Sequence, residues 1–504
     1  MNFLDKVPIH VEVNQLEDSV EEPEAIKEKV EALLNEAYPV FTEGPIDFSS
    51  SQYLQSNVAS IHICDLDECP LVGDGPVSFW RATIFLHVYQ LCEEGPEQEM
   101  VDGEEDLPAL EQWALPAREL HGLWGSLVLE HGVKRDLVEY AQAALLFSDK
   151  GVDPALVTWN RVVLLHGPPG TGKTSLCKAL AQKLAIRLSD RYNDTHLLEI
   201  NAHSLFSKWF SESGKLVMRL FQHIQELVED EESLVCVLID EVESLTAARS
   251  SALGGSEPGD AVRVVNAVLT QLDNLRKRPN VLVLATSNLS SAIDIAFVDR
   301  ADIKQYVGLP PARARHAILR GCLAELMRAG LAHPPRPLAT WEEAARASRG
   351  RAAGAEPQGD DNKFGNLGAE GNDLGAGLGP ASAPIVQEKI AAPPEVLREG
   401  MPGNKLSSGM MVDAGEVSIE QSSTTSEALP KFNTTDIDQL LLQTAELAEG
   451  LSGRALRKLP FQAHAFFIQK DTALPEEYAA AFLSAVKKEQ RARENMQERV
   501  STSV

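Results

Sequence analysis

From Arg161 onward the chain alternates short, mostly apolar runs with longer segments whose apolar residues recur every three or four positions. The runs Val162–His166, His196–Ile200, Leu234–Ile239 and Val281–Ala285 are too short for independent helices and apolar on both faces, which predicts buried parallel strands. Between them, Ser175–Leu184, a stretch after Gly214 and Ala261–Leu275 repeat at helical period. The second carries Leu216, Leu220, Phe221, Ile224 and Leu227 on one face, the third Val264, Val265, Val268, Leu269 and Leu272. Strand and helix in alternation over Thr158–Leu309 predict a parallel sheet covered on both sides.

The flanks read differently. In residues 1–92, Ile9–Val13 alternates at period two, Glu22–Ala37 places Ile26, Val30, Leu33 and Leu34 on one helix face, and Val58–Cys64 and Thr83–Leu91 are strand-like. This predicts a small α+β module with no catalytic constellation, suited to recognition. Residues 93–110 are acidic and rich in Gly and Pro, the composition of a solvated linker. A large domain follows over 111–309, with an early helix at Lys134–Phe147. Trp124 and its neighbours read either as core or as the border of a purine pocket, which needs apolar walls. His316–Leu331 predicts a helix within a segment, 310–333, that opens a helical subdomain. Residues 334–429, dominated by Gly, Ala, Ser, Pro and Glu, predict a disordered insertion. Helices resume in 430–504, near Thr435–Ala448, Ser452–Phe467 and Glu476–Glu494.

Composition narrows the class. At 504 residues the chain is long for one core. No apolar run approaches the roughly 18 residues that span a bilayer, so no membrane association is expected. Met1–Asp5 lacks a basic segment leading into an apolar one, so no signal peptide is expected. The net charge of −28 disfavours a broad nucleic-acid footprint, which requires clustered Lys and Arg. Six cysteines form no C-x-x-C pair and twelve histidines do not cluster, which argues for a reducing compartment and against zinc.

Chemistry concentrates where the strands end. After Val162–His166 comes Gly167-Pro168-Pro169-Gly170-Thr171-Gly172-Lys173-Thr174-Ser175, with the spacing G-x-x-x-x-G-K-T. Gly167, Gly170 and Gly172 let the backbone point its N–H groups inward as a nest for phosphate oxygens, Lys173 brings a cation, Thr174 offers a hydroxyl to Mg²⁺, and the helix N-terminus favours the same anion. Asp240 and Glu241 close the run Leu234–Ile239 at the carboxyl end of a buried strand. There Asp240 suits hydrated Mg²⁺ and Glu241 suits polarising an attacking water. Asn288 ends the next strand, and reads either as a turn former or as a neutral amide that positions water or reads a phosphate. Phe206, Trp209 and Phe210 fall at helical spacing, yet Ser, Glu and Gly crowd them, so a buried helix face and an exposed contact loop are both open. Ser452 is a helix N-cap, and Arg454 in the first turn opposes the helix dipole, which a phosphate partner would explain.

On these motifs the chain resembles the AAA+ ATPases, and more closely the pachytene checkpoint protein 2 family, also known as the thyroid receptor-interacting protein 13 family. The resemblance covers about Leu115–Leu331 and Leu429–Glu494. It rests on His166–Ser175, Leu238–Leu245, Ser207–Phe210 and Gly450–Arg454. The fold it implies is a P-loop α/β core with a parallel sheet and a helical lid, preceded by the α+β N-terminal domain. The cofactors it implies are ATP and Mg²⁺, with Lys173 and Thr174 as Walker A, Asp240 and Glu241 as Walker B, Asn288 as sensor 1 and Arg454 as sensor 2. It further implies Arg300 as an arginine finger acting in a neighbouring subunit, and Trp209 and Phe210 as a substrate-gripping pore loop. Family members form hexameric rings and partially unfold HORMA-domain proteins, engaged through the N-terminal domain, often with a HORMA-type adaptor. They act in the spindle checkpoint and in meiotic chromosome synapsis and recombination, so nucleus and cytoplasm are the expected locations. The insertion at 334–429 departs from the family pattern, falling inside the lid. Two other readings share this ATPase core: a nucleic-acid-directed motor or loader, and an ATP-binding scaffold with impaired turnover.

Overall fold

The computed structural model describes residues 6–66, 76–99, 110–201, 213–244, 260–288, 295–353 and 437–501. Nearly all of these belong to one compact unit, 1–350 with 432–504. Among them no helix is long and apolar enough to cross a membrane.

The first module is built from β1 (Val7–Gln15), α1 (Pro23–Ala37), β2 (Val40–Phe41), β3 (Gly44–Pro45), α2 (Gln52–Asn57), β4 (Val58–Cys64), β5 (Val77–Ser78) and β6 (Ala82–Gln90). Its four-stranded sheet has the order β3-β4-β1-β6, with β4 antiparallel and β6 parallel to β1. The period-two pattern of β1 puts Val7, Ile9, Val11 and Val13 in the core, where Ile26, Val30 and Leu34 of α1 cover them.

The large domain runs through β7 (Glu97–Glu99), β8 (Leu110–Leu115), α3 (Leu123–Ser126), α4 (Val133–Asp149), β9 (Val162–His166), α5 (Lys173–Arg187), β10 (Asp194–Asn201), α6 (Ser213–Val228), β11 (Ser233–Asp240), α7 (Asp260–Leu275), β12 (Val281–Ser287), α8 (Ile295–Val298) and β13 (Ile303–Tyr306). Its seven-stranded sheet has the order β13-β9-β12-β11-β10-β8-β7. Neighbours from β13 to β10 pair parallel, while β8 and β7 are antiparallel additions at one edge. Alternation within each strand divides the apolar residues between the two faces. Val162, Leu164, Val235, Val237, Val281 and Val283 meet α6 and α7, whereas Val163, Leu165, Leu234, Cys236, Leu282 and Leu284 meet α4 and α5.

The linker expected at 93–110 is therefore not a free tether at its ends. Glu97–Glu99 pairs with Leu110–Gln112, and Cys92 N–H donates to Pro116 O at 2.7 Å. The reason is the open edge of β10, whose backbone groups need partners and take them from a strand that buries Leu110, Trp113 and Leu115.

The helical lid comprises α9 (Ala312–Arg328), α10 (Trp341–Ala353), α11 (Ile437–Leu447), α12 (Gly453–Ala463), a π-helical turn His464–Ile468 and α13 (Pro475–Ser501). Leu319, Leu323, Leu441, Leu456, Tyr478, Phe482 and Val486 form its core. Helix α10 corrects the insertion expected from residue 334. Thr340 and Glu343 cap it reciprocally: Thr340 N–H donates to Glu343 Oε2 at 2.8 Å and Glu343 N–H to Thr340 Oγ1 at 3.4 Å. Trp341 packs on the lid core, Ala344 is buried, and Ala339 N–H donates to Asp438 Oδ1 at 3.0 Å. The rest of that stretch lies outside the described residues.

Candidate active site

Strand β9 is buried at every position from Val162 to Leu165 and delivers the chain into the glycine loop at the carboxyl end of the sheet. Gly167 has φ +145°, and a Cβ there would lie 2.3 Å from Val307 O, so this position has no room for a side chain. Gly170 has φ +77°, and its Cβ would lie 2.9 Å from Ser452 Oγ of the lid. The loop also accepts a bond from the lid, Arg454 N–H to Gly170 O at 3.1 Å. Ser452 caps α12 by accepting from Ala455 N–H, which fixes the helix start against the loop.

Lys173 opens α5 and is 4% exposed; its Nζ donates to Gly167 O at 2.9 Å and Pro168 O at 2.8 Å. Burial holds its ammonium below the ordinary lysine value, Glu243, Asp240 and Glu241 oppose this in that order, and the Arg454 cation adds to the lowering. Two cations facing one loop are relieved by a polyanion, and the loop geometry suits a polyphosphate. Next to Lys173, Thr174 Oγ1 donates to Asp240 Oδ1 at 2.9 Å. A hydroxyl and a carboxylate in contact, both oxygen donors at a phosphate loop, fit Mg²⁺.

Thr286 of β12 ties this pair to Glu241. Its hydroxyl donates to Asp240 Oδ1 and accepts from Glu241 N–H at 3.2 Å, and its carbonyl accepts from Val242 N–H at 2.9 Å. These bonds hold Glu241 at φ +57°, a left-handed backbone unusual for a glutamate, at a cost on the order of 1–3 kcal/mol. Thr286, 2% exposed, was not singled out in the sequence; its signal is a hydroxyl two positions before the strand-terminal amide. Asn288 Nδ2 donates to Glu241 Oε1 at 3.4 Å, so the neutral-amide reading of Asn288 has its geometry.

Beside the loop lies a cavity of about 380 Å³. Gly170–Gly172 and Ser175 form one wall, Leu127, Val128, Leu129, Val133 and Ile318 an apolar one, and Arg454, Arg457 and Lys458 of α12 a cationic one. A flat apolar base and a charged polyphosphate need this combination, so the residues present fit ATP. Arg457 also donates to Ser126 O, tying lid to wall. Trp124 itself belongs to the core, its Nε1 donating to Asp65 Oδ1 at 3.1 Å, while the residues just after it line the cavity. Arg457, Lys458 and Leu127–Leu129 carry no periodic or motif signal of their own.

The structure thus gathers the Gly167–Ser175 loop, Asp240, Glu241, Asn288 and Arg454. It does not bring Arg300 to that cavity. Arg300 is held in two-pronged fashion by Asp273 of α7, Nε to Oδ1 at 2.9 Å and NH2 to Oδ2 at 2.8 Å, and NH1 donates to Ala296 O at 2.6 Å. Trp209 and Phe210 lie outside the described residues.

Away from the site, the other end of α5 is locked to the first module. Lys183 Nζ lies 2.6 Å from Glu12 Oε1 and 2.9 Å from Asp65 Oδ2, and Arg187 contacts the same two carboxylates. Burial raises both carboxyls, yet the two cations outweigh it and hold Glu12 and Asp65 below the usual carboxylate range.

Comparison with known proteins agrees with this architecture. The family described as "ATPase family associated with various cellular activities (AAA)" matches residues 163–309. The "TRIP13 N-terminal domain" matches 4–94, and the "TRIP13-like, AAA+ ATPase lid C-terminal domain" matches 401–490, beginning inside the stretch expected to be an insertion. The chain is 44% identical to the pachytene checkpoint protein 2 homolog of Mus musculus, over 95% of this chain and 93% of that one. It is 45% identical to the homolog of Oryza sativa subsp. indica, over 92% of this chain and 83% of that one. Among solved structures it resembles C. elegans PCH-2 with a TM-score of 0.63 and 30% identity, covering 96% of this chain and 99% of that one. A phosphate loop backed by Asp240 and Glu241 and met by Arg454 of the lid, between an N-terminal module and a lid of the matching types, identifies the chain as an AAA ATPase of the pachytene checkpoint protein 2 family.

Proposed function

We propose that this ATPase couples hydrolysis to partial unfolding of HORMA-domain proteins, in the spindle checkpoint and in meiotic chromosome synapsis and recombination, in nucleus and cytoplasm. The observation that carries the catalytic half is the convergence of Thr174, Thr286 and Asp240 with Glu241 and Asn288 beside Lys173. Lys173 and the loop N–H groups would bind the β- and γ-phosphates, Thr174 and Asp240 would hold Mg²⁺, Glu241 would polarise the attacking water, Asn288 would orient it, and Arg454 would meet the phosphates from the lid. Bound Mg²⁺ neutralises charge that develops on the transferred phosphoryl group. Arg300 serves the site of a neighbour in a homohexamer, and its placement away from its own chain's cavity is compatible with that. Trp209 and Phe210 grip the substrate in the pore.

The remodelling half rests on family membership and on the buried ionic contact between β1 and α5. That contact joins a module suited to substrate and adaptor recognition directly to the helix that starts at Lys173. The test is steady-state ATP hydrolysis by the full chain with and without a HORMA-domain protein and its adaptor, beside a reaction containing DNA. Stimulation by the protein pair, with ATP-dependent loss of substrate structure, is the expected result. Stimulation by DNA alone would transfer the reading to a nucleic-acid-directed motor.

A further inference from the structure

Glu243 stands two positions beyond Glu241, and neither the phosphate loop nor the Walker B pair accounts for it. Its side chain reaches β12: Oε1 accepts the backbone N–H of Asn288 at 3.1 Å. Asn288 is one residue past the last paired residue of that strand, so the sheet ladder does not hold it. The bond it makes from Nδ2 to Glu241 Oε1, at 3.4 Å, is near the outer limit for a hydrogen bond and depends on how firmly the Asn288 backbone is kept in place. The second oxygen, Glu243 Oε2, is buried and has no hydrogen-bond partner among the described residues. Such an orphan is destabilising, and it stands where a site has use for the charge. Of the carboxylates acting on Lys173, Glu243 acts most strongly.

We propose that Glu243 is a positioning residue for hydrolysis: it anchors Asn288, whose amide then aims the Glu241 carboxylate at the attacking water. This rests on the role given to Glu241 above and on the bond from Asn288 Nδ2 to Glu241 Oε1. The chain of contacts is Glu243 to the Asn288 backbone, and the Asn288 side chain to Glu241. A charged acceptor binds an N–H more firmly than a neutral amide does, so Glu243→Gln loosens the anchor and Glu243→Ala removes it. Neither change takes away a group that contacts phosphate. Both delete a negative charge beside Lys173, where ATP brings its own.

The experiment compares kcat and the affinity for a fluorescent ATP analogue in the full chain. The set is the wild type, Glu243→Gln, Glu243→Ala, Asn288→Ala, Glu241→Gln and the Glu243→Gln/Asn288→Ala double variant, with thermal melts to confirm folding. Glu243→Gln should lower kcat about tenfold and leave nucleotide affinity equal or tighter. In the double variant kcat should equal that of Asn288→Ala alone, because no amide remains to be aimed; a merely structural Glu243 would give losses that multiply. Multiplied losses, wild-type kcat in Glu243→Gln, or affinity falling in step with kcat would each overturn the proposal. Wild-type turnover by Glu241→Gln would instead overturn the assignment of Glu241, and the inference with it.

Discussion

Replacing Lys183 with Met removes one of two cations from a nearly closed ionic cluster while keeping the length and apolar bulk of the side chain. Lys183 is 3% exposed at its side chain, Glu12 11% and Asp65 30%, and the Nζ to oxygen distances are 2.6 and 2.9 Å. At an effective dielectric constant of about 20, each contact is worth about 6 kcal/mol before desolvation. Burying the ammonium offsets most of that, and breaking a buried pair from one side costs about 3–5 kcal/mol. Arg187 continues to serve both carboxylates, so the expected loss is at the low end, about 3 kcal/mol, or roughly a hundredfold in the docking equilibrium of the first module. Denaturant unfolding followed by tryptophan fluorescence reads it, since Trp124 donates to Asp65 and undocking frees the indole. Glu12→Gln restores charge balance in the Lys183→Met background, so the double variant should be more stable than the sum of the single losses by at least about 1.5 kcal/mol. A single loss under about 1 kcal/mol, or simple additivity, would show that the cluster is a solvated surface network and would remove the physical link between the first module and α5.

His10 and His87 share a 3.1 Å hydrogen bond, and burial, followed by Arg187, holds His10 down to about 3 and His87 to about 4. Below the ordinary imidazole value near 6.5 the unfolded chain binds more protons than the folded one, so stability should fall as pH drops, by up to about 1.4 kcal/mol per pH unit for each histidine. Unfolding midpoints across that range measure the slope, and a His10→Gln/His87→Gln variant that keeps it would sink the assignment. Glu241→Gln should bind ATP and hydrolyse it at least about a hundredfold more slowly, trapping ATP-bound assemblies detectable by size-exclusion chromatography; wild-type turnover would overturn the role of Glu241, and negligible turnover in the wild type and the variant alike would favour a scaffold. Gly170→Ala places a Cβ 2.9 Å from Ser452 Oγ at a backbone angle of +77°, so lid and loop must part; nucleotide affinity should drop about tenfold, as read by analogue fluorescence. Trp209→Ala should retain basal hydrolysis and lose substrate unfolding, whereas equal loss of both would place Trp209 in the fold's core.

The alternation of apolar runs and helical segments over Thr158–Leu309 was readable because β9, β11 and β12 are buried on both faces and α6 and α7 on one. Helix α10 was not read, since its content of Ala, Arg and Gly resembles the low-complexity stretch that follows. The Thr340 to Glu343 capping pair was the local cue, and burial of Ala344 with the packing of Trp341 on the lid core completes it. Strand β8 was missed for another reason: Leu110–Leu115 mixes apolar residues with Glu111 and Gln112, and its place follows from the unpaired edge of β10 more than from its own pattern.

Local chemistry alone determined the phosphate loop, the acidic pair at the end of β11 and the serine cap before Arg454, because each is a short segment whose backbone and side chains act on near neighbours. Tertiary structure decided the rest. It placed Thr286 under Glu241, Glu243 against Asn288, Arg454 on Gly170, and Arg300 on Asp273 instead of the cavity. It also joined Glu12 to Arg187 across 175 positions. Such contacts depend on strand order and on how helices seat upon the sheet, which no local pattern encodes. A buried charge finds its partner only once the packing of the whole domain has excluded water from both.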